Sequence, residues 1–594
     1  MPDTALLALP VEILQIVSGQ LDSRGLSGFS RTCKTLRAAA SSSLFCKITL
    51  RFVDIEKLEK DLDRWTDILD LNSSWKAVQR LEIHDAFDKP PLLGIPDLGD
   101  DPREPWRSYA TNHCPQLTRE NDQDFAKLAT FIDRLPALMD MVWASSDQLP
   151  PCVLSVLEQE DRAHRLRLYL RKFCIRSLSV RPGVPIEVDS YERRLATSPV
   201  LYSLASRCSA YDSEGNANFN QEAIMTMAAS LAPNLKELFL CKDLPGRFPA
   251  ILAASNVARQ RWHGNEMGEG KQSKQKSLTT LVIAGHSHVD ELRVWHRKTD
   301  FAKLRTLKLY QDVPIEDLCW LTELRPFSEA LEEIGLDFSH HEILDATNEL
   351  EDFIDSLPPL RALRLVCASS EPGVLEVAFR RHGDSLRTLR LGETISDIND
   401  LSNIRDSCPN LRELAVTTTR SAGNADEIGR HRTIGALQHL RCLILTLHVH
   451  YRLDTVDDAS IIRAALIDSA VDKSLAASIF GAVSASSTVG HGSLETLRLS
   501  VQIDQASFDH ELEITCKMLA RSWQCEKNPG DDAPKHSCFV AELGAEDRED
   551  YESAFGRRLD PEIEAVMRDL WPEQATGDWR HDWHSWALQD TAPH

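Results

Sequence analysis

Cys408-Pro409-Asn410-Leu411-Arg412-Glu413-Leu414-Ala415-Val416 packs one structural unit into nine residues. Pro409 cannot continue a helix and biases its neighbour toward extended backbone, so a helix ends there and a strand begins. Leu411, Leu414 and Val416 then follow the spacing apolar-x-x-apolar-x-apolar. The last two share one face of a strand, with side chains alternating across it.

The same spacing recurs along the chain. It is found at Val78-Leu81-Ile83, Ile175-Leu178-Val180, Leu235-Leu238-Leu240 and Leu278-Leu281-Ile283, and at Leu304-Leu307-Leu309, Leu331-Ile334-Leu336 and Leu360-Leu363-Leu365. It continues at Leu386-Leu389-Leu391, Leu440-Leu443-Leu445 and Leu494-Leu497-Leu499. From Leu278 to Leu440 the first leucines stand 26, 27, 29, 26, 25 and 29 residues apart. A period of about 20–29 residues is that of leucine-rich repeats, each a strand followed by a helix. The step of 54 from Leu440 to Leu494 reads as two periods, and steps of 60 and 43 before Leu278 read as irregular units with insertions. Prolines precede Leu138, Leu235, Leu360 and Leu411 by two residues and mark the same helix-to-strand turn. A single unit cannot bury its leucines, whereas stacked units share a continuous core behind a parallel sheet. The expected fold is therefore α/β, a leucine-rich-repeat solenoid over 75–505 with outer helices.

Two segments, 255–276 and 417–433, are polar enough to read as exposed loops. After Leu499 the pattern fades. Asp560-Pro561-Glu562 opens a helix through Leu570, and Trp571, Trp579, Trp583 and Trp586 follow, so 506–594 is expected to cap the open end of the repeat core.

The first residues obey a different pattern. Leu9-Pro10-Val11-Glu12-Ile13-Leu14 places proline and an acid at a helix start, and Ile13, Leu14, Ile16, Val17 and Leu21 continue at helical spacing. Leu26, Phe29 and Cys33 form a second stripe, and Leu36, Ala39, Ala40, Leu44 and Phe45 a third. Three helices in about forty residues bury little alone and are the kind of module that leans on a partner. Leu9, Pro10, Glu12, Leu14, Val17, Leu21, Leu26, Phe29, Cys33 and Lys34 together resemble an F-box over residues 5–46. Leu36 stands where many F-boxes carry an aromatic. The resemblance implies binding to a Skp-type adaptor, through it to a cullin, and thus a non-catalytic substrate-receptor role in a ubiquitin ligase. It further implies that Leu9, Pro10, Ile13, Leu14, Leu21 and Leu26 contact the adaptor. The repeat at 408–414 is similar to those of F-box proteins with leucine-rich repeats. Residues 47–74 read as a helical linker between the two parts.

The repeat surface would then select an unknown protein target. Residues after the first leucine include Lys236, Arg305, Arg361, Arg387, Arg412 and Arg441, and those between the last two leucines include Lys308, Arg364, Arg390 and Arg498. Stacking would align them into a cationic stripe, with Lys308, Arg361, Arg364, Arg387, Arg390 and Arg412 as candidate contacts for an acidic or phosphorylated segment. Ordinary solvated repeat usage accounts for the same residues.

Composition narrows the alternatives. Apolar residues make up 42% and charged residues 26%, the balance of a folded chain. A net charge of −23 disfavours nucleic-acid and anionic-membrane partners. The 14 cysteines contain no C-x-x-C pair, which argues against zinc and suits a reducing cytosol or nucleus. No secretory leader or membrane span is expected, and the Asn72-Ser73-Ser74 sequon carries little weight. Neither a metal nor a cofactor is expected.

Gly285-His286-Ser287-His288-Val289 imitates a nucleophile elbow, but Val289 replaces its second glycine. A serine hydrolase is thus a remote alternative, behind a repeat scaffold without a ligase. Gly264 to Lys271 has five residues between its outer glycines where a phosphate loop has four, and Gln272 stands at its magnesium-ligand position. His340-His341, His448-Val449-His450 and His581-Asp582-Trp583-His584 lack a convincing ligand set. Arg162, Arg165, Arg167, Arg171 and Lys172 read as a solvated helix face.

Overall fold

A computed structural model describes residues 9–21, 23–85, 119–145, 147–181, 183–212, 216–242, 262, 278–285, 290–310, 313–338, 347–366, 372–395, 397–449, 458–486, 494–503, 510–528, 537–544, 559–572 and 582–588. These residues divide into two compact units, one ending at Leu304 and the other beginning at Arg305.

The first unit starts with three short helices, α1 (Val11–Gly19), α2 (Ser23–Thr32) and α3 (Lys34–Leu44). The segment 47–74, expected as a helical linker, contains both element types. Lys47–Phe52 is a strand, β1, with every second side chain buried, and Ile55–Asn72 is a helix, α4. The Asp54 side chain caps α4 by accepting from the Lys57 N–H at 2.8 Å, and Leu58, Leu62 and Leu69 form its buried stripe.

The strands that follow are β2 (Arg80–Asp85), β3 (Asp140–Ala144), β4 (Arg167–Leu170), β5 (Ser179–Val180), β6 (Leu201–Cys208), β7 (Ala217–Asn218), β8 (Glu237–Lys242) and β9 (Thr280–Ala284). β1, β2, β3, β4, β6, β8 and β9 pair in that order, all parallel. The 60-residue step before Leu235 therefore contains a strand, β6, that the leucine spacing misses, whereas across the 43-residue step β8 pairs directly with β9. Between β4 and β6 the register shifts, so Leu168 faces Leu201 while Tyr169 faces Ser203; a bulge of this kind breaks the sequence period. Ile175-Leu178-Val180 is not a strand of this sheet. Arg176–Leu178 is a 3-10 turn, and β5 pairs antiparallel with β7 in a separate ribbon.

In the second unit the strands are β10 (Thr306–Tyr310), β11 (Glu333–Asp337), β12 (Ala362–Val366), β13 (Thr388–Ile395), β14 (Glu413–Thr419), β15 (Cys442–Val449), β16 (Thr496–Ile503), β17 (Ser522–Lys527) and β18 (Cys538–Leu543). They pair in chain order. β10 to β16 are parallel, and β17 and β18 join antiparallel. The three apolar positions of every repeat from Leu304 to Leu499 lie inside, none more than 4% exposed. Helices Ile315–Leu324, Thr347–Ser356, Pro372–His382, Ile398–Ser407, Ala425–Gly435 and Lys473–Ala485 each pack against the next. The chain is thus α/β with mostly parallel strands and intervening helices.

Two expectations change here. β15 pairs directly with β16, so the 54-residue step is one strand-to-strand connection carrying two helices, Asp458–Ser469 and Lys473–Ala485. The polar segment 417–433 is not a loop. It contains the end of β14 and most of the helix Ala425–Gly435, and Arg420, Glu427, Arg430 and His431 are buried within it.

Beyond β16, helices Asp458–Ser469, His510–Leu519 and Pro561–Leu570 share a core of Ala465, Leu466, Cys516, Leu519, Met567 and Trp571. Asp560 caps the last of them, accepting from the Glu562 N–H at 2.7 Å, as its Asp-Pro-Glu start predicts. Trp583 and Trp586 pack on this core, and Ser585 donates to Asp472 from its hydroxyl (2.6 Å) and its N–H (3.1 Å). Among the described residues no helix is long and apolar enough to cross a membrane.

Candidate functional site

The N-terminal helices sort their apolar residues into two sets. Leu14, Leu36 and Ala39 form the core, with Phe29 and Cys33 against it, and the buried Ser18 hydroxyl lies 3.1 Å from that of Ser43. Outside that core Leu9, Val11, Ile13 and Ile16 are 38%, 44%, 42% and 62% exposed. Of the six expected contacts, Leu9, Pro10 and Ile13 are on the surface and Leu21 is half-buried. Leu14 and Leu26 are buried, Leu14 completely. α1 is apolar over most of its circumference, so spacing alone could not tell its inner face from its outer one. That excess of apolar residues was also the signal for Val11 and Ile16, which the motif reading left out.

The basic residues of the second unit lie in two rows rather than one stripe. Strand registry puts Lys308, Gly335, Arg364, Arg390, Ala415, Ile444 and Arg498 side by side. The neighbouring column holds Thr306, Glu333, Ala362, Thr388, Glu413, Cys442 and Thr496. Charges on this face meet across the columns. Lys308 lies 2.9 Å from Glu333 and Arg390 lies 2.5 Å from Glu413, with the Lys308 and Arg390 side chains about nine-tenths covered. Arg364 stacks over the Tyr310 ring at 4.8 Å. Ala415 and Ile444 pack beside them. The candidates Lys308, Arg364 and Arg390 are therefore engaged within the protein, because an arginine or lysine on a tightly stacked sheet face is within reach of the next strand's carboxylate.

The second row runs along the strand entrances, at the residue after the first leucine. It contains Arg305, Glu332, Arg361, Arg387, Arg412, Arg441 and Glu495, and it is stitched by the backbone. Each carbonyl from Arg305 to Arg441 accepts from two N–H groups of the next repeat; the Arg387 carbonyl, for example, accepts from Arg412 at 2.8 Å and Glu413 at 2.9 Å. These side chains point outward, and Arg361, Arg387 and Arg412 border a recess of about 380 Å³ with Asp384, Asn410 and His439. Arg361 reaches Glu332 at 3.7 Å and Arg441 reaches Glu495 at 3.5 Å. Arg387 and Arg412 have no ion pair among the described residues. Asp384, Asn410 and His439 carried no motif; they belong to the site only through stacking.

The basic run at 162–172 is not a solvated helix face. Arg162 is buried, and its guanidinium donates to the carbonyls of Ile132 (2.8 Å) and Asp133 at the negative end of the helix Ala126–Asp133. Arg167 belongs to β4 and pairs with Asp140 at 2.7 Å. On the same sheet Lys47 and Arg80 approach Glu82 at 2.9 and 2.7 Å. Burial opposes ionisation of Glu82, but hydrogen bonds from His84, Arg80 and Lys47 prevail and hold its carboxyl far below the ordinary range.

The set-aside motifs at Gly264–Lys271, 286–289 and 340–341, with His450 and His581, lie outside the described residues, as does most of 255–276. No group of three or more metal-ligating side chains occurs among the described residues. The described cysteines are free thiols, and burial pushes Cys208, Cys408 and Cys516 up to about 12, which keeps them as unreactive thiols. No protein-family model and no curated protein matches the chain.

Proposed function

We propose that this chain is a substrate receptor of a Skp–cullin–F-box ubiquitin ligase, with its helices α1–α3 serving as the F-box and its strand–helix units as a leucine-rich-repeat solenoid. The observation that carries the reading is the exposure of the apolar residues Leu9, Val11, Ile13 and Ile16 at the start of a helical module whose sequence resembles an F-box. Such exposure is costly in water and is relieved by a complementary apolar partner. The receptor would work by proximity, holding a target beside a charged ubiquitin carrier, with the bond-making chemistry in other subunits. An intracellular, reducing compartment goes with this reading.

Co-purification tests it. The full chain is expected to retain a Skp-type adaptor and a cullin, and the double variant Leu9→Asp/Ile13→Asp to lose both while keeping its fold. Failure of the wild-type chain to retain purified adaptor would overturn the reading in favour of a repeat scaffold whose N-terminal helices only cap the body. A serine-reactive probe labelling Ser287 would instead support the hydrolase alternative.

A further inference from the structure

We infer that Cys525 and Cys538 form a peroxide-responsive thiol pair at the sheet edge, with Cys538 the attacking thiol and Cys525 the resolving one, closing to a reversible disulfide. The pair lies in the second unit, and its chemistry does not rest on the ligase reading.

Strand registry brings the two cysteines together. β17 and β18 run antiparallel, with Cys525 opposite Val540 and Lys527 opposite Cys538. Side chains alternate along each strand, so Cys525 and Cys538 stand on the same face as diagonal neighbours. The hairpin joins them, and their spacing along the chain forms no local cysteine motif. Among the described residues β18 pairs with β17 alone, which leaves it free to take up the short Cβ–Cβ span that a disulfide requires.

The surroundings assign the two roles. Cys525 is wholly buried, and its S–H faces the Ala476 carbonyl of the helix Lys473–Ala485 at 3.6 Å. Cys538 is half-buried. A hydrogen bond between the two thiols is the main cause that holds Cys538 below the ordinary cysteine value and Cys525 above it. By contrast, burial leads at Cys208, Cys408 and Cys516 and raises all three. The accessible thiol with more thiolate character reacts first, and its buried, protonated neighbour is placed to resolve the product.

Hydrogen peroxide is the oxidant. The Cys538 thiolate attacks one peroxide oxygen; an S–O bond forms, the O–O bond breaks, and the departing hydroxide takes up the Cys538 proton as water. The Cys525 sulfur then attacks the Cys538 sulfur. An S–S bond forms, the S–O bond breaks, and hydroxide leaves with the Cys525 proton as a second water. Two thiols and one peroxide thus give one disulfide and two waters, and a small dithiol reverses the reaction. The bond ties the outermost strand to its neighbour, so oxidation slows the opening of that edge.

The test uses the full chain, reduced and then given one equivalent of hydrogen peroxide. Trypsin places the two cysteines on separate peptides, Ser522–Lys527 and His536–Arg548. Without reductant these peptides are expected as one species, lighter than their sum by two hydrogens and split by dithiothreitol. In the native reduced chain Cys538 is expected to alkylate at least about tenfold faster than Cys516. Cys525→Ser is expected to stop at a Cys538 sulfenic acid that dimedone traps. Cys538→Ser is expected to leave Cys525 reduced and, because Cys538 is half-buried, to keep the thermal melt of the parent. Amide exchange across Cys538–Leu543 is expected to slow at least about tenfold on oxidation. Absence of the cross-link, a sulfenic acid on Cys525 in preference to Cys538, a cross-link yield unchanged by unfolding in urea, or unchanged exchange in the cross-linked chain would each overturn the proposal.

Discussion

Arg420 and Glu427 meet at 2.6 Å with both side chains wholly out of solvent. They lie seven residues apart, at the end of β14 and the first turn of the helix Ala425–Gly435. Glu427 also accepts from the backbone N–H groups of Ser421 (2.8 Å) and Gly423 (3.0 Å), so one carboxylate closes the turn and neutralises the buried guanidinium. Gly423 holds φ at +74°, and a Cβ there would come within 2.7 Å of the Ala587 carbonyl, which is why the turn needs a glycine.

Removing one partner of such a pair leaves the other charge buried and unpaired. Glu427→Gln is expected to destabilise the second unit by about 3–5 kcal/mol. Chemical denaturation at neutral pH measures this, and a loss below about 1 kcal/mol would show that water reaches Arg420.

A pH effect follows from two histidines. Burial is the main cause that brings the His382 and His431 imidazoles down to about 4 from the ordinary 6.5. His382 stays neutral with its Nδ1 accepting from the Leu360 N–H at 3.4 Å and its Nε2 facing the Ile354 carbonyl at 3.2 Å, so its proton sits on Nε2. Near His431 stand Glu427, Arg420 and Arg430, and neither ring nitrogen has a hydrogen-bond partner among the described residues. Both rings have a lower folded than unfolded pKa, so the unfolded state takes up protons first. Their contribution is complete above pH 6.5 and is lost as pH falls from 6.5 toward 4, by on the order of 3 kcal/mol each at the lower end. Denaturation curves between pH 7.5 and 5 should show the decline, and His431→Leu should remove about half of it, leaving the His382 part. A parallel decline in that variant would assign the effect elsewhere.

Within the helical module, position decides the phenotype. Leu14→Ala empties a site of 0% exposure and is expected to cost about 2–5 kcal/mol, seen as an earlier melt of residues 9–44 by hydrogen exchange. Ile16→Ser, at 62% exposure, is expected to leave the melt within about 0.5 kcal/mol. Only the second variant can report on adaptor binding without a folding defect.

Asp472 connects two parts of the C-terminal region. It caps the helix Lys473–Ala485 through the Leu475 N–H at 2.8 Å and receives both Ser585 bonds. Burial alone would raise its carboxyl, but the Ser585 and backbone hydrogen bonds outweigh burial and lower it. Asp472→Ala should cost roughly 2–4 kcal/mol from a lost cap and two lost bonds. It should also free the segment around Trp586, read as faster proteolysis there; unchanged cleavage would mean that Trp583 and Trp586 alone hold it.

How much of this was legible in the chain depends on range. The leucine spacing named the strand in every unit from Leu235 to Leu494, because burial of one face requires a two-residue alternation wherever the register is regular. It failed at Ile175–Val180 and at β4 and β6, where a ribbon and a bulge break the period. It failed again at 417–433, where composition reads as loop but Arg420, Glu427, Arg430 and His431 are buried.

The site divides along the same line. The N-terminal motif and the arginine after each first leucine were visible because they are local patterns. Which arginines were already engaged was not, since Lys308 and Arg390 find their carboxylates one strand away, more than twenty residues along the chain. By itself the sequence determined the strand–helix alternation, the apolar positions and the candidate basic residues, all short-range consequences of side-chain periodicity. Only the tertiary structure decided which face of α1 is exposed and which two arginines, Arg387 and Arg412, lack a counter-charge among the described residues. Pairing between neighbouring strands depends on registry and stacking, and the order of residues along one strand does not contain them.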